Sequence, residues 1–342
     1  MPGQYRFSFG PWNIHEGADP FGPPVRESFS FREKLDFAVK AGFSGIQFHD
    51  DDAVDITLPI AEQDKKLKEL KQMLDDMGLE AEFVAPRLWE HPMTIDGGWT
   101  SNNKEARDYA YARSRRAVDI ANALGTKRIV LWPAREGTYT REAKDPVWAA
   151  NQFVDYIDML LDYDKGIKVL GEMKPNEPMD STYVPTTGHF LAIASRTKDP
   201  NRVGILIETA HAILAGIEPS DEMGFALSFG KLWGIHLNDQ NGLKFDEDKT
   251  FGVVNPRRAF SQVYVLDKHG YGNNGEYVGL DIKVLRTQPR ELSMAHLANS
   301  KRIFEMMVEK VRSVDEKKME DLRQNRNYEE MDMYITDILM GK

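Results

Sequence analysis

Residues 203–209 read VGILIET, an uncharged, largely β-branched run that stops on a carboxylate. A stretch apolar on both faces reads as a strand of a parallel sheet covered on both sides, and Glu208 then stands at its carboxyl end. The same pattern recurs in YRFSFG (5–10), FSGIQFHDD (43–51), LEAEFVAP (79–86), KRIVLWPA (127–134), IKVLGEMK (167–174), LWGIHLN (232–238) and YVGLDIK (277–283). That makes eight strands. Helical patterns lie between them at 32–42, 62–78, 106–125, 148–164 and 189–199, and the first three end in Gly42, Gly78 and Gly125, which can cap a helix in the left-handed conformation. Eight strands alternating with helices predict an α/β protein with a (β/α)8 TIM barrel. No glycine-rich phosphate fingerprint follows the early strands, which disfavours the open doubly wound sheet.

Two regions fall outside this rhythm. The loop 89–103, WEHPMTIDGGWTSNN, mixes aromatics and glycines as active-site loops do. The tail from 311 starts highly charged and ends with the spaced apolar residues Met331, Met333, Ile335, Ile338 and Leu339. The expected division is a catalytic barrel over 1–310 and a C-terminal helical tail over 311–342, either packed on its own barrel or reaching across a neighbouring subunit.

Composition narrows the chemistry. Hydrophobic residues at 41% and charged residues at 29% of 342 exclude a disordered or fibrous chain. The absence of cysteine excludes disulfides and thiolate sites, leaving carboxylate, imidazole and amide groups as metal ligands. A net charge of −10 argues against nucleic acid as a partner and suits metal cations and small neutral ligands. The start, MPGQYRFSFG, lacks signal-peptide character, and no apolar run is long enough to span a membrane, so a cytoplasmic protein without a membrane partner is expected.

In a barrel of this kind the chemistry sits at the carboxyl ends of the strands. Read in order, those ends carry His49 and Asp52, Trp132, Glu172 and Lys174, Glu208 and His211, His236 and Asn238, and Asp281 and Lys283. Pairs two residues apart point to one face of a strand, here the interior. Asp246 and Asp248 repeat that spacing in the following loop. Taken singly, each residue has a plain reading: a hydrogen-bonded core histidine, an acidic turn, a lysine in an ion pair. Their recurrence at one end of successive strands favours a metal site, because clustered buried carboxylates need cations. Glu172, Glu208, His211, His236, Asp246, Asp248 and Asp281 are seven candidate ligands, enough for two ions sharing one carboxylate. Oxygen-rich ligation with one or two imidazoles suits Mg, Mn or Co.

These residues sit in motifs that resemble the xylose isomerase family, in its shorter length class, over residues 5–310. The motifs are FSFGPW (7–12), DPFG (19–22), FHDDD (48–52), HPMTIDGGWTSNN (91–103), LWPAREG (131–137), EMKPNEP (172–178), PTTGH (185–189), GILIETAHAILAG (204–216), LNDQNGLKFDED (237–248) and DIK (281–283). The resemblance implies a barrel, usually a homotetramer, that interconverts an aldose and a ketose with two divalent metals. It implies that His49 and Asp52 promote sugar ring opening and that Lys174 steadies the carbonyl oxygen. Glu172, Glu208 and Asp281 match ligands of the first metal, and Glu208, shared, with His211, Asp246 and Asp248 matches those of the second. Lys283 matches a second active-site lysine, Trp12, Trp89 and Trp132 match the apolar wall, and Phe21 matches an aromatic lent by a neighbouring subunit.

His236 departs from the pattern, standing where the family has an aspartate ligand of the first metal. Rhamnose isomerases and ketose epimerases resemble this chain in using histidine at that strand. Asp239 replaces a small residue expected beside the second metal, and the tail is shorter than the family's, so a homodimer competes with the tetramer. The expected function is isomerisation of D-xylose to D-xylulose, with D-glucose to D-fructose second; the rivals are an isomerase or epimerase of another sugar, a metal-dependent nuclease disfavoured by the acidic surface, and a non-catalytic sugar-binding protein.

Overall fold

The computed structural model describes residues 5–242 and 245–342. Part of the motif 237–248 therefore lies outside the described residues. Among the described residues ten strands form: β1 (Arg6–Phe9), β2 (Gly45–His49), β3 (Glu80–Ala85), β4 (Arg128–Leu131), β5 (Gly137–Thr138), β6 (Lys168–Glu172), β7 (Ser181–Thr182), β8 (Val203–Glu208), β9 (Leu232–Leu237) and β10 (Tyr277–Leu280). Eight of them close into a parallel barrel in the order β1, β2, β3, β4, β6, β8, β9, β10, and β5 and β7 pair separately as a short antiparallel ribbon. The eight runs read from the sequence are the eight barrel strands.

Outside the barrel the helices Phe31–Lys40, Ile60–Asp76, Lys104–Leu124, Pro146–Tyr163 and Thr187–Ala194 occupy the expected stretches, and Pro219–Ser228, Pro256–Lys268 and Ala295–Arg312 complete the ring. Local chemistry sets their ends. Ser30 and Glu33 form a reciprocal capping box at the first helix. Gly125 terminates Lys104–Leu124 with φ 84°, a left-handed geometry that only glycine adopts without strain. Phe83, Ala85, Val130, Leu170 and Leu206 pack together as one small apolar cluster, with Trp12 and Trp233 against it. A much larger core joins strands to helices, including Phe7, Phe9, Phe43 and Phe304.

Two further helices, Glu316–Gln324 and Tyr328–Met340, make up the tail. Met319, Leu322 and Ile335 are buried. Arg257 pairs with Asp332 at 2.8 Å, and Lys310 Nζ donates to the Ile338 carbonyl at 2.6 Å, so the tail packs on its own barrel. Among the described residues no helix is long and apolar enough to cross a membrane.

Candidate metal centre and active site

Strand register builds the centre. Glu208 ends β8 directly opposite His236 of β9, and His236 stands opposite Gly279 of β10. A Cβ at Gly279 would lie 2.5 Å from the Ile235 carbonyl and 2.6 Å from the Gln47 amide nitrogen, so only glycine lets the strands close here. Glu172, at the end of β6, and Asp281, just after β10, complete a group whose ligand atoms with Glu208 and His236 all lie within 4.8 Å of one another. Glu208, His211 and Asp246 form a second group by the same measure. Glu208 belongs to both.

Individual contacts show how crowded the charge is. His236 Nδ1 lies 3.1 Å from Glu172 Oε1, 3.9 Å from Glu208 and 3.8 Å from Asp281. His211 Nε2 lies 3.3 Å from Glu208 and 3.1 Å from Asp246. Lys174 Nζ bridges Asp246 at 2.8 Å and Glu177 at 2.9 Å. Lys283 Nζ meets Asp248 at 2.6 Å, and the Asn238 amide donates to Glu208 at 2.8 Å and to Asp248 at 3.0 Å. Asp248 thus borders the second group with its oxygens turned to Lys283 and Asn238.

Protonation follows this crowding. Burial, reinforced by Asp246, Asp248, Asp281 and Glu172, raises the Glu208 carboxyl well above its usual range. Burial works against charge on Glu172 as well, but the His236 imidazole beside it holds that acid down to about 2. Burial likewise disfavours the His236 imidazolium, and Glu172 overrides it, raising the ring to about 9. Lys174 is also buried, yet Asp246 and Glu177 hold it above the ordinary lysine range. Five carboxylates against two lysines leave a formal excess of three negative charges when both imidazoles are neutral. The donor set of carboxylate oxygens and imidazole nitrogens, deficient in positive charge, fits a divalent cation, and the cluster can hold a metal.

A cavity of about 280 Å³ opens above the cluster. It is lined by Trp12, His49, Trp89, Trp132, Glu172, Lys174, Glu208, His211, His236, Asp246, Asp248, Asp281 and Lys283. Trp12 packs on His49 at a tilt of 38° with centroids 4.1 Å apart and donates from Nε1 to Asp281 at 2.9 Å. It can fold back this way because residue 10 is glycine; a Cβ there would collide with the indole at 2.1 Å. Trp89 meets His49 edge-on at 5.0 Å and Trp132 at 4.5 Å.

Of the expected catalytic, ligand and substrate-wall residues, Asp52 and Phe21 stand off the cavity. Asp52 lies behind His49, with Oδ2 2.8 Å from its Nδ1. Phe21 is 78% exposed and meets Phe245 edge-on at 5.8 Å. Asp239 also turns away from the cluster: its carboxylate accepts from the backbone N–H groups of Gln240, Val254 and Asn255 and secures the turn before helix Pro256–Lys268. Arg87, absent from the sequence reading, lines the cavity. Its Nη2 lies 2.6 Å from His49 Nδ1 and 2.9 Å from Asp52 Oδ1. Its place two residues beyond the end of β3 was the only available signal. Glu177, three residues after Lys174, was legible only as part of a motif.

Fold and site together define a (β/α)8 barrel whose carboxyl-end mouth carries an acidic, histidine-containing cluster able to hold a metal. Residues 35–278 match the xylose isomerase-like TIM barrel family, and the chain belongs to that family. Solved structures of the same fold include a D-tagatose 3-epimerase-like protein, 17% identical with a TM-score of 0.64 over 90% of this chain and 99% of that one. Another is the D-psicose 3-epimerase of Clostridium cellulolyticum H10 with D-tagatose, 13% identical, TM-score 0.60, covering 90% and 96% of the two chains. A third is the IolI protein with a zinc atom, 15% identical, TM-score 0.62, covering 90% and 100%. At these identities the likeness is one of fold.

Proposed function

We propose that this protein is a divalent-metal-dependent aldose-ketose isomerase of a small neutral sugar, converting D-xylose to D-xylulose and, second, D-glucose to D-fructose. The observation that carries the reading is the pair of ligand groups hinged on Glu208, with Lys174 and His49 on the wall of the same cavity. Glu172, Glu208, His236 and Asp281 would hold one cation, and Glu208, His211 and Asp246, bordered by Asp248, a second; Mg, Mn and Co suit such donors. Bound cations would supply Lewis acidity to two neighbouring sugar oxygens.

The chain's own residues supply the rest. His49 takes the proton of the anomeric hydroxyl on Nε2 and returns it to the ring oxygen as the C1–O5 bond opens and the C1 carbonyl forms. Asp52 Oδ2 accepts the Nδ1–H, which leaves Nε2 bare to act as the base, and Arg87 holds Asp52 in place through Oδ1 at 2.9 Å. Lys174, kept charged by Asp246 and Glu177, donates to the open-chain carbonyl oxygen. Trp12, Trp89 and Trp132 keep water from the carbons as hydride passes from C2 to C1 and the C2 hydroxyl proton passes to the C1 oxygen. In a homotetramer or homodimer, Phe21 is the exposed aromatic that a neighbouring subunit would receive.

One observation favours a second reading, a ketose 3-epimerase: His236 sits in the first ligand group between the carboxylates Glu172 and Asp281, which could act as a base and an acid on opposite sides of one carbon. Solved epimerases share the fold. Metal-stripped protein reloaded separately with Mg, Mn or Co decides between them. Cation-dependent ketose formation from xylose above glucose, ribose, rhamnose and mannose supports the isomerase. Exchange at C3 of ketoses without aldose formation replaces it with the epimerase, and silence on every sugar sinks both.

A further inference from the structure

Below the cation cluster, Ser8, Gln47 and Glu82 form a buried polar group that the proposed chemistry does not use. Ser8 Oγ donates to Glu82 Oε2. The Gln47 amide donates to Glu82 at 3.2 Å and contacts Ser8 Oγ at 3.1 Å. A carboxylate sealed inside a barrel is costly unless it has a task or a cation.

His236 provides the task. Its Nδ1 faces Glu172, Glu208 and Asp281, so a cation held there requires a bare Nδ1 and places the ring proton on Nε2. That Nε2 is buried and has no hydrogen-bond partner, and neither does the buried Gln47 Oε1. One is a donor and the other an acceptor. Both side chains approach the same point beside Gly279, His236 Cδ2 within 3.1 Å and Gln47 Nε2 within 2.6 Å. Cδ2 is the carbon bonded to Nε2.

We propose that Gln47 and Glu82 are positioning residues for His236: the two atoms are unpaired in the structure as it stands, and when a cation takes Nδ1, Gln47 Oε1 turns to accept the Nε2–H, which fixes the tautomer, while Glu82 anchors Gln47. Glu82 has an electrostatic part as well. An imidazole ligand brings no negative charge, and Glu82, joined to Gln47 by a 3.2 Å hydrogen bond, places an acid a layer further in. Outer partners of this kind orient the ligating ring and raise its basicity. The inference rests on the metal-site reading of the previous section.

The test is calorimetric titration of metal-stripped protein with Mn or Co, together with ¹⁵N spectra of histidine-labelled, Co-free and Zn-loaded samples, in which His236→Asn assigns the ring. Glu82→Gln, nearly isosteric, should weaken cation binding by roughly 10- to 100-fold and shift the ¹⁵N resonances of His236. Gln47→Met should do the same and also populate the wrong tautomer. Placing aspartate at 236 puts its charge near Glu82, so His236→Asp should bind cations poorly and the double variant with Glu82→Gln should recover to within about threefold of wild type, a coupling that independent sites do not show. Unchanged affinity and unchanged His236 resonances in Glu82→Gln, or strictly additive effects in the cycle, overturn the proposal. Wild-type protein that takes up no cation overturns the metal-site reading and this inference together.

Discussion

Glu136 and Glu208 are both sealed from solvent, and burial raises the carboxyl of each above its usual range. Their surroundings differ. Glu136 accepts from the backbone N–H groups of Gly98 and Thr100 at 2.7 and 2.8 Å and from the Thr100 hydroxyl, pinning the loop 89–103 that carries Trp89 to the barrel rim. Glu208 has the Asn238 amide and His211 against four neighbouring acids, Asp246, Asp248, Asp281 and Glu172. A buried acid that anchors a fold is satisfied by the chain itself, whereas one in a cluster able to hold a cation is left short of positive charge.

The strongest way to break this contrast is Glu208→Gln. Cation affinity should fall about a thousandfold, roughly 4 kcal/mol, while the melting temperature of the metal-free protein rises because a repulsive centre is relieved. Titration calorimetry and thermal scans read the two effects, and a destabilised apo protein with intact cation binding would make Glu208 a structural acid like Glu136. The reciprocal change, Glu136→Ala, should cost about 3–4 kcal/mol by stranding buried donors and speed proteolysis within 89–103, with cation affinity kept.

A pH series sharpens the comparison further. The His236 ring is raised to about 9 by Glu172 against the cost of burial. Because its folded pKa exceeds the unfolded value, the stabilisation is complete below about pH 6.5 and is lost as pH rises through 9, on the order of 3 kcal/mol in total. Urea denaturation of metal-stripped protein should show this loss, and His236→Asn should flatten it. The smallest effect belongs to Asp239→Ala, about 2 kcal/mol from backbone donors left unpaired at a helix entrance, with no change in cation binding. A marked loss of affinity there would return Asp239 to the metal site.

Much of this architecture is visible in one dimension. The eight strands are legible because each must be apolar on both faces to lie between barrel interior and helices, and Gly42, Gly78 and Gly125 mark helix ends because the left-handed turn excludes most other residues. Less visible are Pro219–Ser228, Pro256–Lys268 and Ala295–Arg312, which the sequence reading passed over. Pro219–Ser228 is short and buries only four residues, too few to announce a periodic face. The spacing of Glu172 with Lys174 and of His236 with Asn238 placed those side chains together because a strand repeats every two residues. Nothing comparable pointed to Arg87, whose partners His49 and Asp52 lie on another strand and the turn that follows it.

From residue order alone, then, come the barrel class, the carboxyl-end address of the acids and histidines, and the kind of cation such donors suit, since strand period and ligand chemistry are local properties. Closure of the barrel decided what each of those groups meets. It brought Arg87 onto His49 and Asp52, sent Asp239 to a helix entrance, left Phe21 on the surface and set Gln47 and Glu82 behind His236. Those outcomes depend on atoms within about 3 Å supplied from distant parts of the chain, and sequence spacing carries no record of such distances.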